Sequence, residues 1–372
     1  MTSSAATPAD PDTTASLSPW ALVRLRFGQH RLAMAALYLL GALYCLAGFA
    51  EFFAPYPRQW RNLAEAYCPP QLPRISWATG IYVPAMVQHI DPLTFQKSYL
   101  EDPSHPIRLG FLVQGKPYKL WGVIPSDRHF FGVKHPDASG GDFYFLGADK
   151  YGQDVFSRLI YGSRISLSVG LAAIAVTFVL GVTIGGISGY AGGAIDNFTQ
   201  RLIEVLSAFP QVPLWLAFGA VLPPDWSPVS AYFAITLVLS LLSWTGLARV
   251  VRGKVLALRE EDYATAARLL GASHGRVLFR HLLPGAASHV VVVLALSVPA
   301  MLLGETSLSF LGLGLRPPIV SWGVMLQDCL SLQTVAEFPW LLMPVVLIIL
   351  TVLSFNFVGE GLREAADPYA AR

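Results

Sequence analysis

The chain has 372 residues, of which 53% are hydrophobic and only 13% charged. An ordinary soluble domain carries about 25% charged residues, so this composition excludes an ordinary soluble enzyme and points to an integral membrane protein. The 26 basic and 24 acidic residues leave a net charge of +2, which gives no bulk attraction to nucleic acid.

Residues 1–19 are Ser, Thr, Ala, Pro and Asp rich and read as a disordered tail, part of a cytoplasmic segment over 1–31. A spanning helix needs about 20 apolar residues. Six stretches qualify: 32–50, one inside 165–195, 205–224, 226–248, one inside 282–304, and 338–359. Each is long and continuously apolar rather than alternating, which indicates helices, not barrel strands. The first, within 32–53, is too long for a signal core. Glu51-Phe52-Phe53 follows it instead of a small-residue cleavage pattern, so it reads as a retained anchor.

Residues 54–145 are too many for a simple connection. They hold twelve of the 27 prolines and read as a small extracytoplasmic insertion between helices 1 and 2. It is either a docking surface for a soluble partner or a family-specific decoration. Strands over 107–113 and 118–123 are expected here, joined by a turn at 114–117. Gly110, Gly115 and Lys116 fit a phosphate-loop spacing, but Pro117 follows where a hydroxyl and a helix are required, so no nucleotide site is expected. Cys68 and Cys329 could both lie outside, which leaves a disulfide open.

Lys and Arg near helix ends set orientation. Arg24, Arg26 and Arg31 precede helix 1, and Arg249, Arg252, Lys254, Arg259, Arg268, Arg276 and Arg280 crowd the loop between helices 4 and 5. The loop between helices 3 and 4 has none. Both termini and the four–five loop are therefore expected in the cytoplasm, with 54–145 outside.

Gly181, Gly185 and Gly189 are four apart on helix 2 and make a small face for close packing or for lining a path. Pro210 and Pro213 interrupt helix 3, and broken helices border cavities or partners. Glu204 and Glu305 are intramembrane acids, expected near opposite margins where they can reach water. His289 has no second metal ligand nearby in sequence. Neither a catalytic cluster nor a metal or cofactor site is evident in the chain.

The most informative stretch, within about 255–284, reads as two short helices joined at a glycine. Glu260, Glu261 and Asp262 place acids in a first turn, where the helix dipole favours them. Ala266, Ala267 and Leu270 give a small apolar face, and Gly271 sits at a helix C-terminal position. Arg276 and Arg280 are expected on one face of the second helix, and Pro284 at the entry to helix 5. Such a face suits either another protein's groove or packing on its own bundle.

These residues resemble the EAA loop of permeases of ATP-binding-cassette importers. Ala266, Ala267, Gly271, Leu283 and Pro284 match, while Thr265 replaces the usual glutamate, whose role could move to Glu261. Further stretches resemble the dipeptide/oligopeptide/nickel permease family, C-type subunit: 146–158, Gly189-Tyr190-Ala191-Gly192, Ala208-Phe209-Pro210, Ser307-Leu308-Ser309-Phe310 and Asp367-Pro368. The resemblance implies an all-α membrane protein with the six-helix type I importer permease fold over 146–372 and the first helix. It implies a bacterial inner-membrane subunit forming half of a path for peptides or related solutes. It implies a coupling loop of Glu261, Thr265, Ala266, Ala267, Gly271, Arg276, Leu283 and Pro284. Partners would be a homologous permease, two ATPases holding ATP and magnesium, and an extracytoplasmic solute-binding protein. The alternatives are an ion-driven secondary transporter, which would show central charges and an inverted repeat, and a membrane enzyme. Neither signature is evident.

Overall fold

The computed structural model describes residues 19–77, 79–90, 92–93, 97–134, 141–223 and 225–367. The expected tail over 1–18, Pro224 and Pro368 lie outside the described residues. The longer helices are α1 (Pro19–Gln29), α2 (Arg31–Gly48), α3 (Val155–Ala191), α4 (Gly193–Ala208), α5 (Gln211–Val221), α6 (Pro228–Leu258), α7 (Asp262–Leu269), α8 (Leu283–Phe310) and α9 (Met343–Ala366). Four strands form one antiparallel sheet in the order β1 (Arg74–Ser76), β2 (Gly80–Ile90), β3 (Lys97–Leu120), β4 (Ile124–Val133).

Among the described residues, five stretches are long and apolar enough to cross a membrane, those carrying α2, α3, α6, α8 and α9. The third apolar window is broken, as its two prolines lead one to expect, and the break falls at Pro210 rather than at Pro213. It divides between the end of α4 and all of α5, which meet at 83°. Pro210 explains the break. It has no N–H to give, and it holds Phe209 in an extended conformation with φ −88° and ψ 135°. Pro213 lies in the first turn of α5, where proline costs little.

The bent pair still returns the chain from one end of the bundle to the other. At the start of α4, the Asp196 carboxylate accepts two hydrogen bonds from Arg252 of α6, each 2.5 Å. In α5, Gly219 packs against Leu308 and the Leu313 carbonyl beyond the far end of α8. With the bent pair counted as one span, six candidate passes result among the described residues, and they bring α1 and the end of α9 together. Arg26 of α1 donates to Asp367 O at 2.8 Å, and His30 faces Glu364 at 3.5 Å.

At the opposite end, Arg164 of α3 makes a two-pronged bond to Glu51, both arms 2.7 Å, and also donates to Ala47 O and Gly48 O. That clasp fixes the base from which the sheet rises. The strand expectation needs correction. Residues 114–117 are a bulge within β3, and the turn lies at 121–123. The Gly122 and Val123 amides donate back to Lys119 O and Leu120 O. Gly115, Lys116 and Pro117 thus stay in strand, well away from any phosphate-loop geometry. Cys45, Cys68 and Cys329 are all free, with the Cys68 thiol directed at Pro69 O and the Cys329 thiol at Leu341 O. The open disulfide is therefore absent.

Candidate coupling loop and membrane core

The loop after α6 is built on a small apolar core. Leu247, Val251 and Val255 of α6 pack with Ala264 of α7 and with Val277, Leu278 and Leu282 beyond it. Ala264, rather than Ala266 or Ala267, is the residue α7 buries. Thr265 and Ala266 are exposed and Ala267 is half-buried. Leu269 and Leu270 are 84% and 89% exposed. Two consecutive leucines in the open have no use in a free-standing subunit, since each fully buried leucine is worth roughly 1.5–3 kcal/mol.

Gly271 has φ +80°, a conformation a side chain resists. It closes α7 with a Schellman arrangement: Gly271 N donates to Arg268 O at 3.0 Å and Ala272 N to Ala267 O at 3.1 Å. A Cβ there would meet no neighbour within 4 Å, so the constraint on this glycine inside the subunit is conformational alone.

The second short helix is not a separate element. His274–Arg276 make one turn, capped by the Ser273 hydroxyl, and lead into a π-helical stretch at Val277–Leu282 and then α8. Its i→i+5 bonding widens the turn, so Arg276 and Arg280 no longer stack as they would on an α-helix. Both remain exposed. Leu283 is half-buried, and Pro284 sits exposed in the first turn of α8.

Polar ties hold the loop still. Arg268 donates to Arg259 O at 2.8 Å and to the Thr265 hydroxyl at 3.0 Å. Tyr190, at the end of α3, lies 2.9 Å from His274 Nδ1. Arg259 reaches Gly189 O at 3.2 Å. Glu261 is exposed and caps α7 through its carbonyl, which accepts from Ala264 N and Thr265 N. None of the ties between α3 and this loop was visible in the sequence, because each joins residues about 70 or more positions apart. Local spacing carries no signal for them.

In the bundle, Gly185 faces α6. A Cβ at 185 would lie 2.4 Å from Ala248 O; Gly189 likewise meets the Arg252 backbone, while Gly181 is closed off by the Leu247 side chain. Pro210 is exposed at the α4–α5 bend.

Glu305 corrects the expectation of a water-reaching margin. It is 0% exposed and accepts from the hydroxyls of Ser309 at 2.8 Å and Ser166 at 3.2 Å. Ser166 in turn accepts from Trp322 N. This network clamps α3, α8 and the 309–327 segment together. By contrast Glu204 is exposed and pairs with Arg201. His289 is exposed, and no group of three metal-ligating side chains occurs among the described residues.

A family model described as "Binding-protein-dependent transport system inner membrane component" matches residues 181–371, a span that includes the loop and Glu305. A second, "N-terminal TM domain of oligopeptide transport permease C", matches 18–70. The chain belongs to the family of binding-protein-dependent inner-membrane transport components. Members of this family are permeases of ATP-binding-cassette importers and work with other permease, ATPase and binding-protein components.

The chain is 31% identical over 354 residues to the oligopeptide transport system permease protein OppC of Bacillus subtilis, covering 95% of this chain and 90% of that one. It is 39% identical over 231 residues to the dipeptide transport system permease protein DppC of the same organism, 62% of this chain and 70% of that one. It is 36% identical over 247 residues to the glutathione transport system permease protein GsiD of Pectobacterium atrosepticum, 66% of this chain and 80% of that one. The importer permease reading therefore stands over the ion-driven alternative.

Proposed function

We propose that this permease carries peptides, and that it takes its power stroke through the loop from Glu261 to Pro284. It would form half of a translocation path with a homologous permease, be driven by two ATPases, and receive solute from an extracytoplasmic binding protein. The chain itself would hold no cofactor, since ATP and magnesium belong to the ATPases. Both termini and the α6–α8 loop would face the cytoplasm, and the sheet would stand outside.

The observation that carries the coupling reading is the exposed Leu269–Leu270 tip on a loop otherwise tied rigidly to α3 and α6. A rigid, small-faced projection whose apolar tip is uncovered suits a groove in another protein. The peptide reading rests on relatives whose names specify dipeptide, oligopeptide and glutathione transport. A deletion strain tests it. Uptake of a labelled dipeptide should vanish on deletion and return when the chain is supplied. Unchanged peptide uptake in the deletion strain, with uptake of another solute lost, would overturn the substrate assignment.

A further inference from the structure

The β3–β4 hairpin ends in an apolar turn, Trp121-Gly122-Val123 followed by Ile124. Turns in water are usually filled by Asn, Asp, Ser, Gly or Pro. Here Trp121 is 56% exposed, Val123 77% and Ile124 50%.

The position of this turn identifies what covers it. Trp121 Nε1 donates to Gly48 O at 2.7 Å, and its indole lies 5.4 Å from the Phe49 ring. Gly48 is the last residue of α2, whose 18 residues rise about 27 Å, close to the roughly 30 Å of a bilayer's hydrocarbon. The turn therefore sits at the level where the acyl chains give way to headgroups. Aromatic rings also line the next turn of chain after Gly48 and the far end of the same hairpin. Phe130, exposed, packs 5.3 Å from Phe53, 5.9 Å from Phe52 and 5.7 Å from Phe111. Trp collects at membrane–water interfaces because its ring is apolar and its N–H is polar, and the phenylalanines extend the apolar surface beside Trp121. Lys119, exposed, pairs with Pro125 beside the turn, and Arg128, also exposed, lies further along β4 opposite Gln114. Their long stems can lie along lipid while the charged ends meet phosphates.

We infer that the β3–β4 turn inserts into the lipid headgroup–acyl boundary, with Trp121, Val123 and Ile124 as the inserted side chains. The sheet is then held against the bilayer at a second place, besides its attachment through α2 and α3. Under the proposed orientation the leaflet is the outer one, but the contact itself does not depend on that orientation.

The test uses the full chain in lipid nanodiscs, in a background where Cys45, Cys68 and Cys329 are replaced. Val123→Cys carries an environment-sensitive fluorophore. The side chain is largely exposed, so the label displaces no packing. Ile124→Cys gives a second reporter on the turn. Ser104→Cys, in the part of β3 that pairs with β2, gives the aqueous reference. Phosphatidylcholine brominated near the headgroup should quench labels at 123 and 124 at least twofold, and iodide should quench them far less than the label at 104. Iodide quenching at 123 and 124 equal to that at 104 would overturn the inference. Shielding from both iodide and brominated lipid would overturn it too, since a protein would then be the cover.

Discussion

Replacing Gly185 with alanine would put a methyl group where the backbone of α6 already stands. The Cβ would lie 2.4 Å from Ala248 O, 2.8 Å from its Cα and 2.9 Å from its carbonyl carbon. All three atoms are backbone, so no rotamer change relieves the clash. Restoring an ordinary contact of about 3.4 Å requires α3 and α6 to part by about 1 Å along their most intimate contact. Overpacking of this kind costs about 1–3 kcal/mol, and a gap opened beside it loses further contacts. Gly186 supplies the control in the same turn, because the nearest atoms to a Cβ there are on the Leu278 and Leu283 side chains at 3.4–3.8 Å. The assay is the fraction of detergent-solubilised protein that stays monodisperse after heating. Gly185→Ala should lower the midpoint clearly and Gly186→Ala barely. Equal midpoints for the two variants would refute the argument that α3 and α6 touch through Gly185.

Two other predictions concern buried acids. Asp154 caps α3, accepting from Ser157 N at 2.8 Å and the Ser157 hydroxyl at 2.6 Å, and burial pushes its carboxyl up to about 7. The folded state therefore holds a proton that the unfolded state releases near pH 4, so stability is greatest below that and declines as pH rises to about 7. Asp154→Asn keeps a good cap and removes the titration. Its thermal midpoint should vary less than wild type's between pH 5 and pH 8, with about 3 kcal/mol at stake over the roughly two units from pH 5 to pH 7; parallel pH curves would count against it. Glu305→Leu would orphan the Ser166 and Ser309 hydroxyls at about 1–3 kcal/mol each, whereas Glu305→Gln retains acceptors. Leu should lower the thermal midpoint more than Gln, and a reversed order would show that the clamp is not what Glu305 supplies.

Much of this fold is legible in the sequence because bilayer thickness imposes a length on each apolar run. That rule locates α2, α3, α6, α8 and α9, and the prolines at 210 and 213 announce the break in the third window, but neither gives the 83° angle between its two helices. Gly271 was readable for a different reason: a glycine after a short helix signals a backbone conformation that its own sequence neighbourhood determines. Glu305 was misplaced because hydropathy gives depth and not rotation, and the serines that satisfy it come from α3 and α8 together. The hairpin turn was misplaced by a glycine and a proline at 115 and 117 that belong to a bulge. The true turn uses Trp121 and Val123, which carry no polar turn signal.

The central claim is that the loop closed by Gly271 docks the ATPase, and one paired measurement on Gly271→Asp tests it most directly. Inside the subunit this change meets open space and costs roughly 1 kcal/mol in backbone conformation, so the protein should insert and accumulate normally. Thr265→Glu, whose carboxylate would face Arg268, serves as the tolerated control. ATPase copurification and peptide uptake are measured together at matched permease levels in the membrane. The account predicts that Gly271→Asp loses both while Thr265→Glu keeps both. A Gly271→Asp permease that retains its ATPase and transports at the wild-type rate would contradict it.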